Sequence, residues 1–486
     1  MDPLTFAILK NAMKAETNAT DLEQTVAGVS TDSRTVKPGE LFVAIKGDRF
    51  RGEDYVADAF VKGAKAAVVE HWPAEARSLD AVPAGAGTYF VVRDAVEALG
   101  NLAAHYRRLH GSVIVAVTGS NGKTTTKDMI HHVLEGGARV MKSQRSFNNY
   151  IGVPLTLFGL ERSHDFAVIE LGANHPGEIR RLAEIASPQI GVLTNIGEAH
   201  LAGFGSLEGV ARAKGELLER LGETGVAVLN GDDPWCERLK RVVRGRVITF
   251  GLGETCDIRA VSVERTESGL AFRTNDNVRV ELGLLGMVNV HNALAAIAVG
   301  RRLGLRMDAI AGRLGTFGSV SGRMETTEVK GVLFLNDTYN ANPSSVRAGL
   351  VELAARYGKR RRVAVLGSML ELGEVSESLH RGLWPVLREA AGVFVAVGAE
   401  MRWLVEEALA GGMPVEFVRR AENAEAAADI LKAILRPGDA VLVKGSHALR
   451  MGEVVAKMGA WLDGGGTPPA GAPDGTGGTP AEPGPV

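Results

Sequence analysis

Lys123 and Thr124 follow two glycines in Val113-Ile-Val-Ala-Val-Thr-Gly-Ser-Asn-Gly-Lys-Thr-Thr-Thr126, an order suited to holding a polyphosphate. The backbone N–H groups of Gly119, Ser120, Asn121, Gly122 and Lys123 can point inward at a phosphate chain. They do so at the start of a helix, whose dipole favours negative charge. Lys123 would add a positive charge near the β- and γ-phosphates, and the Thr124 hydroxyl, followed by Thr125, is placed to ligate Mg²⁺. The spacing Gly-x-x-Gly-Lys-Thr is shorter than the usual phosphate loop, but a bare strand-to-helix turn has no need of the Lys-Thr pair. The chain is expected to bind a nucleoside triphosphate.

Other residues offer ligands or hydrogen bonds. Glu170 stands near the end of one apolar run, and His200 closes the polar turn Asn195-Ile-Gly-Glu-Ala-His200 after another. With Thr124 they suit Mg²⁺ or Mn²⁺, although a lone histidine is as readily structural. Lys214 lies in a helix of mixed charge, and its spacing points to nothing beyond a solvated lysine. Asn292 is expected to cap an apolar helix over 293–303, with an amide that could also read a nucleobase edge. Asp337-Thr-Tyr-Asn-Ala-Asn-Pro343 could hydrogen-bond a sugar, or form an Asx-type turn before a helix beginning at Pro343. Arg323 could reach a γ-phosphate on domain closure. The cluster Ser30-Thr-Asp-Ser-Arg34 could bind a polar ligand, or equally be a capped, solvated loop.

Strands and helices must deliver these groups. An α/β chain of three domains is expected, since 486 residues exceed one core. Residues 1–110 mix strands (41–45, 66–70, 89–92) with helices (54–61, 95–109) in a small domain. Residues 111–318 carry the phosphate loop and continuous apolar strands at 166–171, 190–196, 226–229 and 247–250. Apolar runs without alternation imply strands covered on both faces, hence a mostly parallel sheet with a P-loop ATPase-like core. Ligands in such sheets bind at the carboxyl ends of strands, where Gly119, Glu170 and the 195–200 turn fall. Residues 319–463 read as a Rossmann-like α/β domain beyond a small-residue hinge at 315–322. The Gly/Pro-rich stretch 464–486 is expected to be disordered.

Charge is balanced, with 55 basic and 57 acidic residues, so nothing suggests a nucleic-acid surface. Two cysteines cannot build a disulfide framework or a four-thiolate metal site. No secretory leader and no apolar run of the ~20 residues needed to span a membrane is evident, so a cytoplasmic monomer is expected.

Several stretches together resemble the Mur ligase family, the ATP-dependent amide-forming ligases of peptidoglycan assembly. They are Ser146-Phe-Asn-Asn-Tyr-Ile-Gly-Val-Pro-Leu155, Glu170-Leu-Gly-Ala-Asn-His-Pro-Gly-Glu-Ile179, Asn195-Ile-Gly-Glu-Ala-His-Leu201, the 337–343 segment and Met369-Leu-Glu-Leu-Gly373. The resemblance covers about 30–458. It implies ATP on 119–126, with Thr124, Glu170, His200 and a carbamylated Lys214 around two Mg²⁺ ions. It further implies Asn292 at the adenine, Asp337 at the ribose and Arg323 near the γ-phosphate, with Lys123, His200, Lys214 and Arg323 as catalytic groups. The small first domain would hold the UDP end of a substrate through Ser30, Ser33, Arg34 and Lys46. Asn148, Asn149, Tyr339 and Asn340 would lie closer to the chemistry. Within the family these motifs imply UDP-MurNAc-tripeptide and D-alanyl-D-alanine as substrates, joined through an acyl phosphate. The alternative is a sister ligase that adds the third amino acid; such enzymes typically carry Asp-Asn-Pro-Arg where this chain has the 337–343 segment. Folylpolyglutamate synthetases share the ATP core without the Ser30–Arg34 type of first domain. Three positions depart from the family's usual pattern: His291 within Val288-Asn-Val-His-Asn292, Ser368 in place of Asp, and His447 in place of Arg.

Overall fold

A computed structural model describes residues 1–47, 50–73, 87–144 and 146–467, so the tail expected to be disordered lies outside the described residues from 468 onward. The chain forms two compact units, one drawn mainly from residues 1–317 and the other mainly from 318 onward.

The first unit contains two principal sheets. A five-stranded sheet runs Glu16–Thr17, Thr88–Val91, Ala66–Val69, Glu40–Val43, Gly28–Ser30 in spatial order, parallel except at its first pair. A nine-stranded sheet carries the phosphate loop. Its parallel part orders Val140–Lys142, Phe166–Glu170, Val113–Thr118, Ile190–Leu193, Val226–Asn230 and Arg246–Gly251 side by side, with Ile258–Arg265 joining at one end. Val113–Thr118 is rich in β-branched residues and buried almost throughout, as a strand covered on both faces must be. An antiparallel meander, Ile258–Arg265, Leu270–Thr274 and Arg279–Leu282, extends the sheet. Apolar runs do not mark it, because Ile258–Arg265 and Arg279–Leu282 interleave charged residues with apolar ones.

The helix Ala95–Arg108 starts where the Asp94 carboxylate accepts from Glu97 N, and near its end Arg107 is buried. The Arg107 guanidinium donates to the carbonyls of Ala186 (3.1 Å), His110 (2.8 Å) and Ser112 (3.0 Å). Ser112 immediately precedes the phosphate-loop strand, so one side chain ties two helix ends to that strand's origin. Gln189 completes the joint: its side-chain oxygen accepts from Ile114 N at 2.8 Å.

The second unit is a six-stranded sheet ordered Glu325–Val329, Val332–Asn336, Ala440–Lys444, Arg362–Gly367, Val393–Val397, Val418–Ala421, parallel except at its first pair. Val363, Val395 and Val441 pack there against Ala427, Leu431, Val454 and Met458 from helices Ala424–Ile434 and Gly452–Asp463. This is the Rossmann-like arrangement expected. The helix Pro343–Arg356 is started by a reciprocal cap between Asn342 and Ser345.

Replacing Arg107 by Met should orphan three buried carbonyls and cost roughly 3 kcal/mol of unfolding free energy. A urea titration should show a lower midpoint with an unchanged slope; an unmoved midpoint would mean that water replaces the guanidinium.

Candidate active site

The phosphate loop is held by side chains from two neighbouring segments. Gly119 has φ 148° and Gly122 φ 79°, conformations that L side chains seldom adopt. Space also requires glycine at both. A Cβ on Gly119 would lie 1.9 Å from Thr194 Oγ1, and one on Gly122 would lie 2.4 Å from Asn292 Oδ1. Thr194 Oγ1 donates to Asn121 O at 2.6 Å, and Asn195 Oδ1 accepts from Asn121 N at 2.9 Å. Ser120 exchanges hydrogen bonds with the Gly197 backbone. The strand expected over 190–196 stops at Leu193 because Thr194 and Asn195 turn to brace this loop. Neither residue type announces this bracing role in the sequence, although Asn195 opens the polar turn 195–200.

Behind the loop, the helix Lys123–Leu134 begins directly after Gly122, its first N–H groups bordering the loop. Lys123 Nζ folds across the loop onto Gly119 O (2.8 Å) and Ser120 O (3.3 Å). Thr124 and Thr125 are buried. Contrary to the expectation from sequence, Asn292 does not cap its helix: the helix runs Val288–Arg302, starting two residues after the turn at Gly286 (φ 87°). Asn292 is buried, accepting from Thr126 Oγ1 at 3.0 Å and donating to Asn289 Oδ1 at 2.9 Å. Neighbouring His291 pairs through Nε2 with Asp232 Oδ2 at 2.8 Å.

Glu170 ends the strand beside the phosphate-loop strand, in register with Val117, and is 1% exposed. Its Oε1 accepts from Asn148 Nδ2 at 2.8 Å, while its buried Oε2 has no hydrogen-bond partner among the described residues. A bare buried carboxylate oxygen is costly unless a cation meets it. Asn149 accepts from Gly152 N at 2.9 Å and so starts the helix Gly152–Leu157.

Lys214 is not a solvated lysine. It is 1% exposed within the helix Leu207–Glu219, because that face of the helix turns inward. Burial pushes its ammonium well below the ordinary lysine value; Lys123 adds to the effect and Glu178 opposes it. Its Nζ lies 5.7 Å from the centroid of the Phe204 ring. Phe204 ends the short helix Leu201–Phe204, whose preceding residue, His200, sits in the left-handed region at φ 55°. Among the described residues no three His, Cys, Asp or Glu side chains group together for a metal. A cation here would have to draw on hydroxyl, amine-derived or phosphate oxygens as well.

In the first sheet, Ser30 Oγ donates to Asp32 O (3.1 Å), while Asp32 accepts from Arg34 N, Nε and Nη2. The side-chain and backbone hydrogen bonds from Arg34 hold the Asp32 carboxyl down at about 2. Lys62 Nζ donates to Ser33 O at 2.8 Å, and Lys46 pairs with Arg51 in an isolated bridge. The cluster is thus a capped loop whose Arg34 is well exposed.

In the second unit, Arg323 lies over the Tyr339 ring, 3.9 Å from its centroid. Asp337 Oδ2 accepts from buried Lys444 Nζ at 2.6 Å, and the same ammonium reaches Asn340 O at 2.9 Å. Asn340 Oδ1 accepts from Ala341 N (2.9 Å) and His447 N (3.3 Å). Ser368 Oγ accepts from Glu400 N at 3.2 Å, and buried His380 accepts at Nε2 from Met369 N at 3.1 Å. Ser368 and His447 therefore both belong to hydrogen-bonded loops at the carboxyl ends of strands Arg362–Gly367 and Ala440–Lys444.

The chain is similar to known proteins in both sequence and fold. Three family models match: "Mur ligase family, catalytic domain" over residues 25–107, "Mur ligase middle domain" over 117–300, and "Mur ligase, glutamate ligase domain" over 322–447. The chain is 35% identical over 453 residues to a Bacillus subtilis protein named UDP-N-acetylmuramoyl-tripeptide–D-alanyl-D-alanine ligase, covering 90% of this chain and 94% of that one. A crystal structure of MurF from Acinetobacter baumannii superposes with TM-score 0.85 at 30% identity, covering 94% of this chain and 99% of that one. MurF ligase from Thermotoga maritima, solved in complex with ADP, gives TM-score 0.79 at 29% identity, over 90% and 98% of the two chains. With family models matching residues 25–107, 117–300 and 322–447, the chain belongs to the Mur ligase family.

Proposed function

We propose that this chain joins D-alanyl-D-alanine to UDP-N-acetylmuramoyl-tripeptide, converting ATP to ADP and phosphate, in cytoplasmic assembly of the peptidoglycan precursor. The observation that carries this is buried Glu170, one oxygen bare, at the strand end beside the Lys123 phosphate loop. Ligases named for that reaction match the chain over nine-tenths of its length.

The chemistry accounts for the residue types. A carboxylate is a poor electrophile, so the tripeptide's terminal carboxylate first takes the γ-phosphoryl group, releasing ADP. The amine of D-alanyl-D-alanine then attacks the acyl phosphate, and phosphate leaves from the tetrahedral intermediate. Two anions must approach each other in the first step. Lys123 and the helix N–H groups offset that charge. Asn148 fixes Glu170 Oε1, which leaves Oε2 for a cation, and Thr124, His200 and Lys214 are the remaining candidate ligands. Mg²⁺ bound there would polarise the phosphoryl oxygens. Buried Lys214 favours a carbamate: burial pushes its ammonium toward the neutral amine, the form that adds CO₂, and the product is an oxygen ligand. Arg323 and Asp337 are proposed nucleotide contacts, with Asn292 supporting the loop from beneath. Ser30, Ser33, Arg34, Lys46, Asn149, Tyr339 and Asn340 are proposed substrate contacts.

Purified protein given ATP, Mg²⁺, UDP-MurNAc-tripeptide and candidate amines should release phosphate with D-alanyl-D-alanine. Release that depends on a single amino acid, with none from the dipeptide, would instead identify the sister ligase. Lys214→Ala should lose about a hundredfold or more of kcat, and bicarbonate should not restore it. In the parent protein, removing CO₂ should lower activity reversibly, and ¹³C-bicarbonate should give a carbamate carbon resonance that the variant lacks. Because acid protonates the Lys214 amine, that resonance should fade as pH falls; full activity in Lys214→Ala would return the lysine to a packing role.

A further inference from the structure

Lys127 has no part in the roles above, yet it is 1% exposed. One turn beyond Lys123, its ammonium donates to Ser143 O at 2.9 Å and lies 3.6 Å from Asp128 Oδ1. Ser143 is fully buried; its Oγ accepts from Glu170 N at 3.1 Å and its own N–H donates to Val168 O at 3.0 Å. Lys127 therefore clamps the chain leaving the edge strand Val140–Lys142 against the end of the strand that carries Glu170. Burial pushes its ammonium below the ordinary lysine value, Asp128 and then Glu170 pull it back, and Lys142 opposes them. Ser143 joins the two directly, taking the Lys127 ammonium on its carbonyl and the Glu170 N–H on its hydroxyl, and both charged side chains are buried there.

We infer that Lys127 is a positioning residue that compensates the Glu170 carboxylate in the absence of a divalent ion and, by repulsion, sets how tightly such an ion binds. This rests on the reading of Glu170 as a metal ligand. A fixed positive charge so placed lets the cation be released as readily as it is taken up. It also spares the protein an uncompensated buried carboxylate between turnovers.

The test is a Mn²⁺ titration of the full chain without nucleotide, with free Mn²⁺ followed by electron paramagnetic resonance and thermal unfolding measured alongside. Lys127→Met should bind Mn²⁺ about tenfold or more tightly than the parent, since a buried like charge has been removed. Its Tm without metal should fall, and saturating Mn²⁺ should raise that Tm by more than it does in the parent. Lys127→Arg should stay within about twofold of the parent affinity, and Asp128→Asn, which removes a negative charge, should weaken binding several-fold. A lower Tm in Lys127→Met with unchanged or weaker Mn²⁺ binding would reduce Lys127 to a packing residue and overturn the inference. Should Lys127→Met fail to fold, Asp128→Asn decides alone: unchanged or tighter binding overturns it. Glu170→Gln separates the premise, because Mn²⁺ affinity equal to the parent's there would remove Glu170 as a ligand, and the Lys127 role with it.

Discussion

Close packing of neighbouring side chains against the glycines of the Lys123 loop is the constraint from which the first unit's architecture follows. A polyphosphate can be held by N–H groups only if no side chain intervenes, and here Thr194 Oγ1 and Asn292 Oδ1 occupy the space where side chains at positions 119 and 122 would be. The glycines alone would give a floppy turn. Thr194 and Asn292 make it a fixed one by filling the gaps that the two glycines leave, and Asn195 accepts from Asn121 N between them. Strand order enforces this: Ile190–Leu193 lies directly beside Val113–Thr118, so the residues that follow it reach the loop without a long connection. At the other end of the phosphate-loop strand, Arg107 gathers three carbonyls and fixes where that strand begins.

What the sequence revealed divides along the range of the interactions. The phosphate loop is legible because strand, glycines, Lys123 and helix are contiguous, and apolar runs mark the parallel strands for the same local reason. Lys214 was illegible: a helix with Arg212 and Glu208 on its surface looks solvated until neighbouring elements cover the other face. Lys127 was hidden likewise, since only the fold brings Ser143 and Glu170 to it. Asn292 was misplaced because a polar residue before an alanine-rich run looks like a cap, whereas the turn at Gly286 had already started the helix. Ser30–Arg34 is a loop capped by its own hydroxyl and carboxylate, with an exposed Arg34 guanidinium paired to Asp32.

Buried charge recurs as an organising device. In the second unit, Lys444 is sealed under the Asp337–Pro343 loop, where its three donors meet one carboxylate and two carbonyls. In the first unit, Lys127 does the same for the Ser143 turn. Each ammonium sits beneath a loop whose backbone carbonyls it holds, and such a loop keeps its shape only while the charge stays paired. Lys214 differs: it is buried 5.7 Å from the Phe204 ring centroid, and burial pushes its ammonium well below the ordinary lysine value.

The antiparallel meander at 258–282 carries a consequence for colloidal behaviour. A wide parallel sheet presents open hydrogen-bonding groups at both margins, and such margins recruit strands from other molecules. Here one margin is only Val140–Lys142, three residues long. The other is Arg279–Leu282, four residues whose Arg279 is tied to Glu264 and Glu281 by ion pairs. Short, charged margins make poor templates, so the sheet that builds the catalytic apparatus resists growing into its neighbours in a concentrated solution.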